Sequence, residues 1–160
     1  EEHLVRDILG DVIFGVDEQS METVVIDGLR EMGKSLAVAE ILTGGVMASR
    51  LTLIDGVGDV LRGVRVYAGN GDFPGQSNAE DRAAAAARTA REEHNADIGI
   101  AAAAPEKEEG HPRGTVFLHI ATKNGDHATV ATVPGDRNRY RNYAVISLLN
   151  YVRKVVLGNR

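Results

Sequence analysis

The chain has 160 residues, 43% of them apolar, which is enough to bury the core of one ordinary domain. It contains no cysteine, which excludes a disulfide framework, a thiolate metal site and a cysteine nucleophile, and which fits a reducing, cytoplasmic environment. A net charge of −5 and 4% aromatic residues argue against direct binding of nucleic acid, and no apolar run is long enough for a membrane span.

The N-terminal segment, residues 1–16, has apolar residues at helical spacing and predicts a short helix and a loop. It lacks the basic and apolar blocks of a signal peptide. Because the chain opens within a helical pattern and without methionine, we expect residues 1–16 to be an interdomain linker of a longer protein. Residues 17–160 are then the folded domain.

Helix and strand signals alternate through the first half of the domain. A helix is predicted after Ser20, a favourable N-cap, and should end at Gly33. The segment SLAVAE (35–40) predicts a strand, and TGGVMASRLTLI (43–54) predicts a helix that starts directly after it. GVRVYA (63–68) predicts the second strand.

The alternation continues with an alanine-rich helix. Ser77 and Glu80 have the spacing of a capping box, which predicts a helix that runs to about Asn95. DIGIAAA (97–103) predicts the third strand, and residues 105–114 predict a polar loop.

Asn124-Gly125 is a strong signal for a two-residue hairpin turn. With this turn, His119 should lie opposite Val130 and far along the hairpin from His127. We therefore predict no metal site from these histidines, and the sequence predicts no cofactor.

The strands that flank this turn should cover 114–122 and 127–133. A final helix should begin after Asp136 and end at Gly158. Strands that alternate with helices predict a three-layer α/β/α domain. Its sheet should be mixed and mainly parallel, with one antiparallel hairpin.

The segment AEILTGG (39–45) joins a strand to a helix and is the main candidate site. The first N–H groups of a helix are unpaired and favour negative charge, and Gly44 and Gly45 let a ligand approach the backbone. Thr43, Gly44 and Gly45 could thus bind a phosphate, a carboxylate or an oxyanion, or could simply form a tight turn. Glu40 is either a partner of the helix start or a ligand contact.

Six segments in order resemble motifs of the CinA C-terminal domain family, which includes the nicotinamide mononucleotide amidohydrolases. They are AEILTGG (39–45), LTLIDGVGDVLRG (51–63), VRVYA (64–68), ADIGIAAAAP (96–105), PRGTVFLHIA (112–121) and GDRNRYRNYAV (135–145). The resemblance covers nearly the whole chain. It implies an N-terminal molybdopterin-binding-like domain in the longer protein, homo-oligomers, and partners among DNA-repair or recombination proteins.

The resemblance also implies where catalytic residues should stand. Active members have a nucleophilic serine after Ala-Glu and a lysine base five residues after the strand-end tyrosine. In this chain Ile41 occupies the serine position and Asp72 the lysine position, while the tyrosine is retained as Tyr67. A serine nucleophile needs such a base, and here both are missing. We therefore expect no appreciable amide hydrolysis by this mechanism.

Two arginines and one tyrosine remain as candidates for binding. Arg137 and Arg141 are four residues apart, so they share a helix face. By resemblance they could meet the anionic end of a nucleotide, but they could equally form a solvated basic face. Tyr67 could line the pocket or pack in the core.

Three functions are open on these residues. The chain could be a catalytically degenerate scaffold or binding module linked to competence or the DNA-damage response. It could be a working nicotinamide mononucleotide amidohydrolase that uses displaced residues, or a nucleotide-binding sensor that does not hydrolyse. The missing serine and lysine favour the first and third hypotheses, and the Thr-Gly-Gly segment with the two arginines favours the third over the first.

Overall fold

The structure is a computed structural model that describes residues 20–68 and 78–158, leaving aside the side chains of residues 137 and 138. Its helices and strands are, in chain order, α1 (Met21–Met32), β1 (Leu36–Glu40), α2 (Val46–Leu51), β2 (Leu61–Val66), α3 (Ala79–Glu93), β3 (Ile98–Ala103), β4 (Thr115–Thr122), β5 (Gly125–Thr132) and α4 (Arg137–Val152). The predicted linker helix in residues 1–16 and the candidate position Asp72 lie outside the described residues.

The five strands form one mixed sheet in the order β2-β1-β3-β4-β5. β1 pairs in parallel with β2 and β3, whereas β4 pairs antiparallel with β3 and β5. Four strands therefore run in one direction and β4 runs against them. The predicted mixed sheet with an antiparallel hairpin is confirmed, and the β3–β4 pair adds a second antiparallel ladder.

Residues of β1 alternate between two cores because successive side chains of a strand point to opposite faces. Leu36 and Val38 join a large aliphatic core beneath α1, α2 and α4. Ala37 and Ala39 join a core of small residues beneath α3. Helices thus cover both faces of the sheet, and the predicted three-layer α/β/α architecture is confirmed.

The alanine-rich helix α3 packs very closely on the sheet. Its residues Ala83, Ala86, Ala87 and Ala90 are buried in the small-residue core. On the sheet side, a Cβ at Gly99 of β3 would lie only 2.1 Å from the backbone oxygen of Ala87. Small residues on both surfaces therefore set the distance between helix and sheet.

Three predicted helix caps are present. The side chain of Ser20 accepts a hydrogen bond from the Thr23 N–H at 3.2 Å, and Gly33 ends α1 with a left-handed φ of 66°. Asp136 accepts from the Arg139 N–H at 3.2 Å and so caps the start of α4.

Two helix starts differ from the prediction. Gly44 and Gly45 have φ values of 59° and 96°, which a helix does not allow, so α2 begins at Val46 instead of residue 43. Helix α3 is capped by Asn78, whose side chain accepts from the Asp81 N–H at 2.8 Å. The Asn78 backbone is extended, as an N-cap requires, and the predicted capping position Ser77 lies outside the described residues.

The predicted register of the hairpin is wrong. Its turn residues are Lys123 and Asn124, and Gly125 is already the first residue of β5. Thr122 holds this turn because its hydroxyl donates to the Gly125 carbonyl at 2.5 Å and accepts from the Asn124 N–H at 3.3 Å. As a result His119 lies opposite Ala128 instead of Val130.

None of the helices within residues 20–68 and 78–158 combines the length and the apolar character that a transmembrane segment requires.

The close packing of α3 on the sheet can be tested at Gly99. We expect Gly99→Ala to lower the free energy of unfolding by about 3 kcal/mol, because the new methyl group meets rigid backbone and must push α3 away. Gly58→Ala is the matched control, because a Cβ at Gly58 would meet no atom within 4 Å. Urea unfolding followed by circular dichroism measures both variants, and equal stability of the two would contradict this account.

Candidate functional site

A cleft of about 1330 Å³ opens at the edge of the sheet where β1, β2 and β3 end. From β1 the chain continues to β2 on one side, whereas β3 lies on the other side of β1 and leads to β4. The connections after β1 and β3 therefore diverge. Sheets of α/β proteins bind ligands at such points, because loops that leave in opposite directions open a crevice between them.

Glu40 is the last residue of β1 and its side chain is fully buried. Its carboxylate accepts hydrogen bonds from the Thr43 hydroxyl at 2.6 Å and from the N–H groups of Met47 and Ala48 at 2.8 and 3.1 Å. The negative charge therefore lies at the N-terminus of α2, where unpaired N–H groups and the helix dipole favour it. Of the two roles open for Glu40, these contacts are those of a partner of the helix start.

Thr43 belongs to the same set of hydrogen bonds around the Glu40 carboxylate. It is 3% exposed, and its hydroxyl donates to the Glu40 carboxylate. The cleft is lined by their neighbours Ile41, Leu42 and Gly44 and not by Glu40 or Thr43. The Glu40 carboxylate thus occupies part of the helix start that was predicted to bind an anionic ligand.

Gly44 and Arg141 come together at the cleft. A Cβ at Gly44 would lie 2.7 Å from Arg141 Nη1, so the guanidinium lies directly against this turn and would have to shift if Gly44 carried a side chain. Arg141 is exposed, and its guanidinium has no acceptor or ion-pair partner among the described residues. Gly45 is the next residue, and a Cβ added there would meet no atom within 4 Å. Arg137 is the first residue of α4, one helical turn before Arg141.

Ile41 follows Glu40 and is 2% exposed. Its side chain packs with the small-residue core, which includes Ala39, Ala101 and Phe117, while also lining the cleft. An isoleucine side chain has no lone pair and no proton to exchange. The position that the resemblance gives to the nucleophile is therefore a hydrophobic part of the cleft wall.

Tyr67 follows β2 and contributes both to the core and to the cleft. It packs on the small-residue core and lines the cleft. The guanidinium of Arg65 lies over its ring at 4.9 Å. Burial raises the pKa of the Tyr67 hydroxyl, so the phenol stays neutral at physiological pH.

The loop between β3 and β4 forms another wall and is held by a partly buried carboxylate that was not predicted from the sequence. Glu109 accepts hydrogen bonds from the N–H groups of Ala79 at 2.9 Å and Glu106 at 2.6 Å. Arg82, 4% exposed, pairs with the Glu109 carboxylate at 3.3 Å and donates to the Ala104 carbonyl at 3.4 Å. The signal was present in the sequence, because glutamates at 106 and 109 have capping-box spacing.

The charged side chains that line the cleft are mostly basic. The cations come from α4 and from the β3–β4 loop, and they are Lys107, Arg113 and Arg141 against Glu106 and Asp136. His111 of the same loop also lines the cleft. His111 is held edge-on to the Phe117 ring, with 5.1 Å between centroids. Apart from Arg141, these basic residues have no signal in the sequence that places them at a site, because the fold alone brings the loop to the cleft.

The opposite wall includes the start of α4 and the start of β4. The Tyr140 hydroxyl donates to the Thr115 carbonyl at 2.9 Å, and burial raises the pKa of Tyr140 to about 12. Tyr140 therefore acts as a neutral anchor between helix and sheet. In the described part of the chain, no group of three histidine or carboxylate side chains is arranged to hold a metal ion.

The family model and the similar proteins all indicate the same family. The model of the CinA C-terminal domain matches residues 18–70 and 76–156 of the chain. A CinA-like protein of Frankia casuarinae is 35% identical over 98% of the chain, and a putative competence-damage inducible protein of Thermoanaerobacter pseudethanolicus is 33% identical over 98%. The alignments cover 40% and 42% of those two relatives, so the chain spans less than half of their length.

Solved structures agree with the fold. A CinA superfamily protein from Escherichia coli superimposes with a TM-score of 0.75 at 25% identity, covering 87% of this chain and 92% of the other. Competence damage-inducible protein A from Klebsiella pneumoniae superimposes with a TM-score of 0.76 at 20% identity, covering 88% and 97%. The topology described above is thus that of these proteins.

The contacts of Glu40 at the helix start predict that its substitution destabilises the fold. We expect Glu40→Gln to lower the free energy of unfolding by about 1–3 kcal/mol, because an amide nitrogen replaces one acceptor oxygen and leaves a buried donor unpaired. Glu92→Gln, at an exposed position of α3, is the control and should have little effect. Equal unfolding curves for both variants would mean that Glu40 does not hold this corner.

The contacts of Glu109 predict how the stability of the fold depends on pH. Burial raises its pKa, but the N–H groups of Ala79 and Glu106 and the guanidinium of Arg82 outweigh this effect, so the pKa lies below its ordinary value. The unfolded chain therefore takes up this proton more readily than the folded chain. The carboxylate stabilises the fold above pH 4.5, the ordinary pKa, and this stabilisation is lost as the pH falls through the folded-state pKa.

Glu109→Gln tests this pH dependence. We expect the variant to be less stable than the native chain at neutral pH and to lose less stability on acidification, as measured by urea unfolding at a series of pH values. Glu108→Gln, an exposed position in the same loop, should follow the native profile. A Glu109→Gln profile that runs parallel to the native one into the acid range would contradict the assignment.

Proposed function

The chain belongs to the CinA C-terminal domain family, and we propose that it is a non-hydrolysing member that binds an anionic, nucleotide-like ligand. In this proposal it serves as a binding module of a longer protein of the competence and DNA-damage-inducible class, the class for which several relatives are named. The proposal combines two features of one cleft, a wall without a nucleophile and a rim with basic side chains.

Ile41 is the observation that carries the first half of the proposal. The resemblance implies a serine at this position, and the isoleucine offers no atom that can attack a carbonyl. Asp72 stands at the position implied for the lysine base, so neither member of the pair is retained. Loss of a nucleophile and its base leaves only the rate enhancement that binding and oxyanion stabilisation supply.

Thr43 is the nearest hydroxyl that could replace the serine, and its contacts argue against it. The hydroxyl donates to Glu40 at 2.6 Å, is buried, and does not line the cleft. The Glu40 carboxylate in turn already accepts two backbone N–H groups of α2. A substrate in the cleft would therefore not meet the hydroxyl without rearrangement of the corner.

The second half of the proposal rests on size and charge. The cleft of about 1330 Å³ exceeds the volume of roughly 300–1000 Å³ that is typical of small-molecule sites, so it has room for a nucleotide. The guanidinium of Arg141, against Gly44, is open to an anion, and Lys107 and Arg113 add positive charge from the loop. Ile41 and Tyr67 supply an apolar surface for a planar ring.

The test uses nicotinamide mononucleotide, the substrate of amidohydrolases in the family that the chain resembles. We expect no ammonia above a buffer blank and a measurable heat of binding by calorimetry. Arg141→Ala should weaken binding about tenfold or more, since a hydrogen bond to a charged group contributes about 1.5–3 kcal/mol. Arg62→Ala, which removes an exposed positive charge from β2 outside the cleft, should bind like the native chain.

The outcomes separate the competing functions. Ammonia release would overturn the proposal in favour of an amidohydrolase with displaced catalytic residues. Absence of both heat and ammonia would leave only the scaffold function. Equal weakening by the Arg141 and Arg62 substitutions would show that the anion is attracted by overall charge and is not held in the cleft.

A further inference from the structure

The charged side chains that line the cleft differ in whether they have partners within the domain. The Glu106 carboxylate accepts the N–H of Glu109 and so caps the turn of its own loop. Asp136 accepts the N–H of Arg139 at the start of α4. Three exposed cations have no acceptor or ion-pair partner in the described part of the chain, and they are Lys107, Arg113 and Arg141. This imbalance favours a ligand that carries more than one negative charge.

Two of these cations lie on the α4 side of the cleft. Helix α4 packs on the aliphatic face of the sheet, and the guanidinium of its residue Arg141 lies against Gly44. Arg113 comes two residues before Thr115, whose carbonyl accepts the Tyr140 hydroxyl of α4. Two guanidinium groups on one side of the cleft match a phosphate monoester, which carries a charge of about −1.5 to −2 at neutral pH.

Lys107 lies on the other side of the cleft, because its turn is fastened to α3. The Glu109 carboxylate at the end of this turn accepts the N–H of Ala79, the first residue of α3, at 2.9 Å. It also pairs with Arg82 of the same helix. Helix α3 covers the face of the sheet opposite to α4. The Lys107 ammonium group therefore belongs to a second, separate basic position that matches a single negative charge.

An apolar surface lies between the two basic positions. Ile41 and Tyr67 line the cleft and directly follow the strands β1 and β2. They lie in the middle layer of the domain, between α3 and α4. The ligand that complements this order of groups has a phosphate at one end, a planar ring in the middle and a further anionic group at the other end.

We propose that the cleft selects a nucleotide whose ring carries a carboxylate over the matching amide, and that Lys107 makes this distinction; the inference rests on the ligand class proposed above. Nicotinic acid mononucleotide differs from nicotinamide mononucleotide only in the carboxylate that replaces the carboxamide. The pyridinium ring of both compounds is positive, and the carboxylate neutralises this charge, so the acid is repelled less by a basic cleft. The domain thus binds the product of amide hydrolysis in preference to the substrate.

The test is calorimetry of the chain with the two nucleotides under identical conditions. We expect the acid to bind about tenfold more tightly than the amide or better, because it adds a charge-assisted contact with an ammonium group. Lys107→Gln should remove this preference by weakening the acid, and Lys107→Arg should keep it. Lys123→Gln is the matched control, because it removes an exposed ammonium group from the hairpin turn at the opposite end of the strands, and it should keep the native ratio.

Arg141→Ala tests the other end of the ligand. It should weaken both nucleotides by the same factor, because they share the phosphate, and so leave the ratio of their affinities unchanged. Equal affinities for the acid and the amide would overturn this inference and leave the proposed ligand class intact, and so would a preference that Lys107→Gln does not reduce. A chain that binds neither nucleotide would contradict the proposed function itself.

Discussion

The corner between β1 and α2 depends on a buried charge. The Glu40 carboxylate lies inside the domain and is stable there because a hydroxyl and two helix N–H groups point at it. This requirement fixes the positions of strand, turn and helix relative to one another. It also determines what the turn presents to the cleft, which is the backbone of Gly44 beneath Arg141 and the apolar side chain of Ile41.

The same interaction determines which side chains of the turn reach the cleft. Glu40 holds the Thr43 hydroxyl away from the cleft, so the turn lines it with Ile41, Leu42 and Gly44 instead. The charges that could bind a ligand come from other elements, chiefly the β3–β4 loop and α4. Glu109 holds that loop in the same manner as Glu40 holds the turn, by accepting backbone N–H groups at a helix start. Two internal carboxylates thus support two walls of one cleft.

Small residues shape the other side of the molecule. Alanines of α3 and Gly99 of β3 let the helix lie almost on the sheet. Seven of the eight residues of β5 are exposed.

The sequence by itself determined the family, the order of strands and helices, the caps at Ser20 and Asp136, and the isoleucine at the position that the resemblance gives to a serine. These properties follow from residue identity and local spacing, which are known before the structure is. Tertiary structure alone decided the hairpin register, the role of Glu40 and the basic loop at the cleft. The loop reaches the cleft because of long-range packing, whereas the hairpin register and the role of Glu40 depend on the direction in which nearby side chains point. Residue spacing does not fix that direction, because a glutamate has the same letter in the sequence whether its partner is a helix end or a ligand.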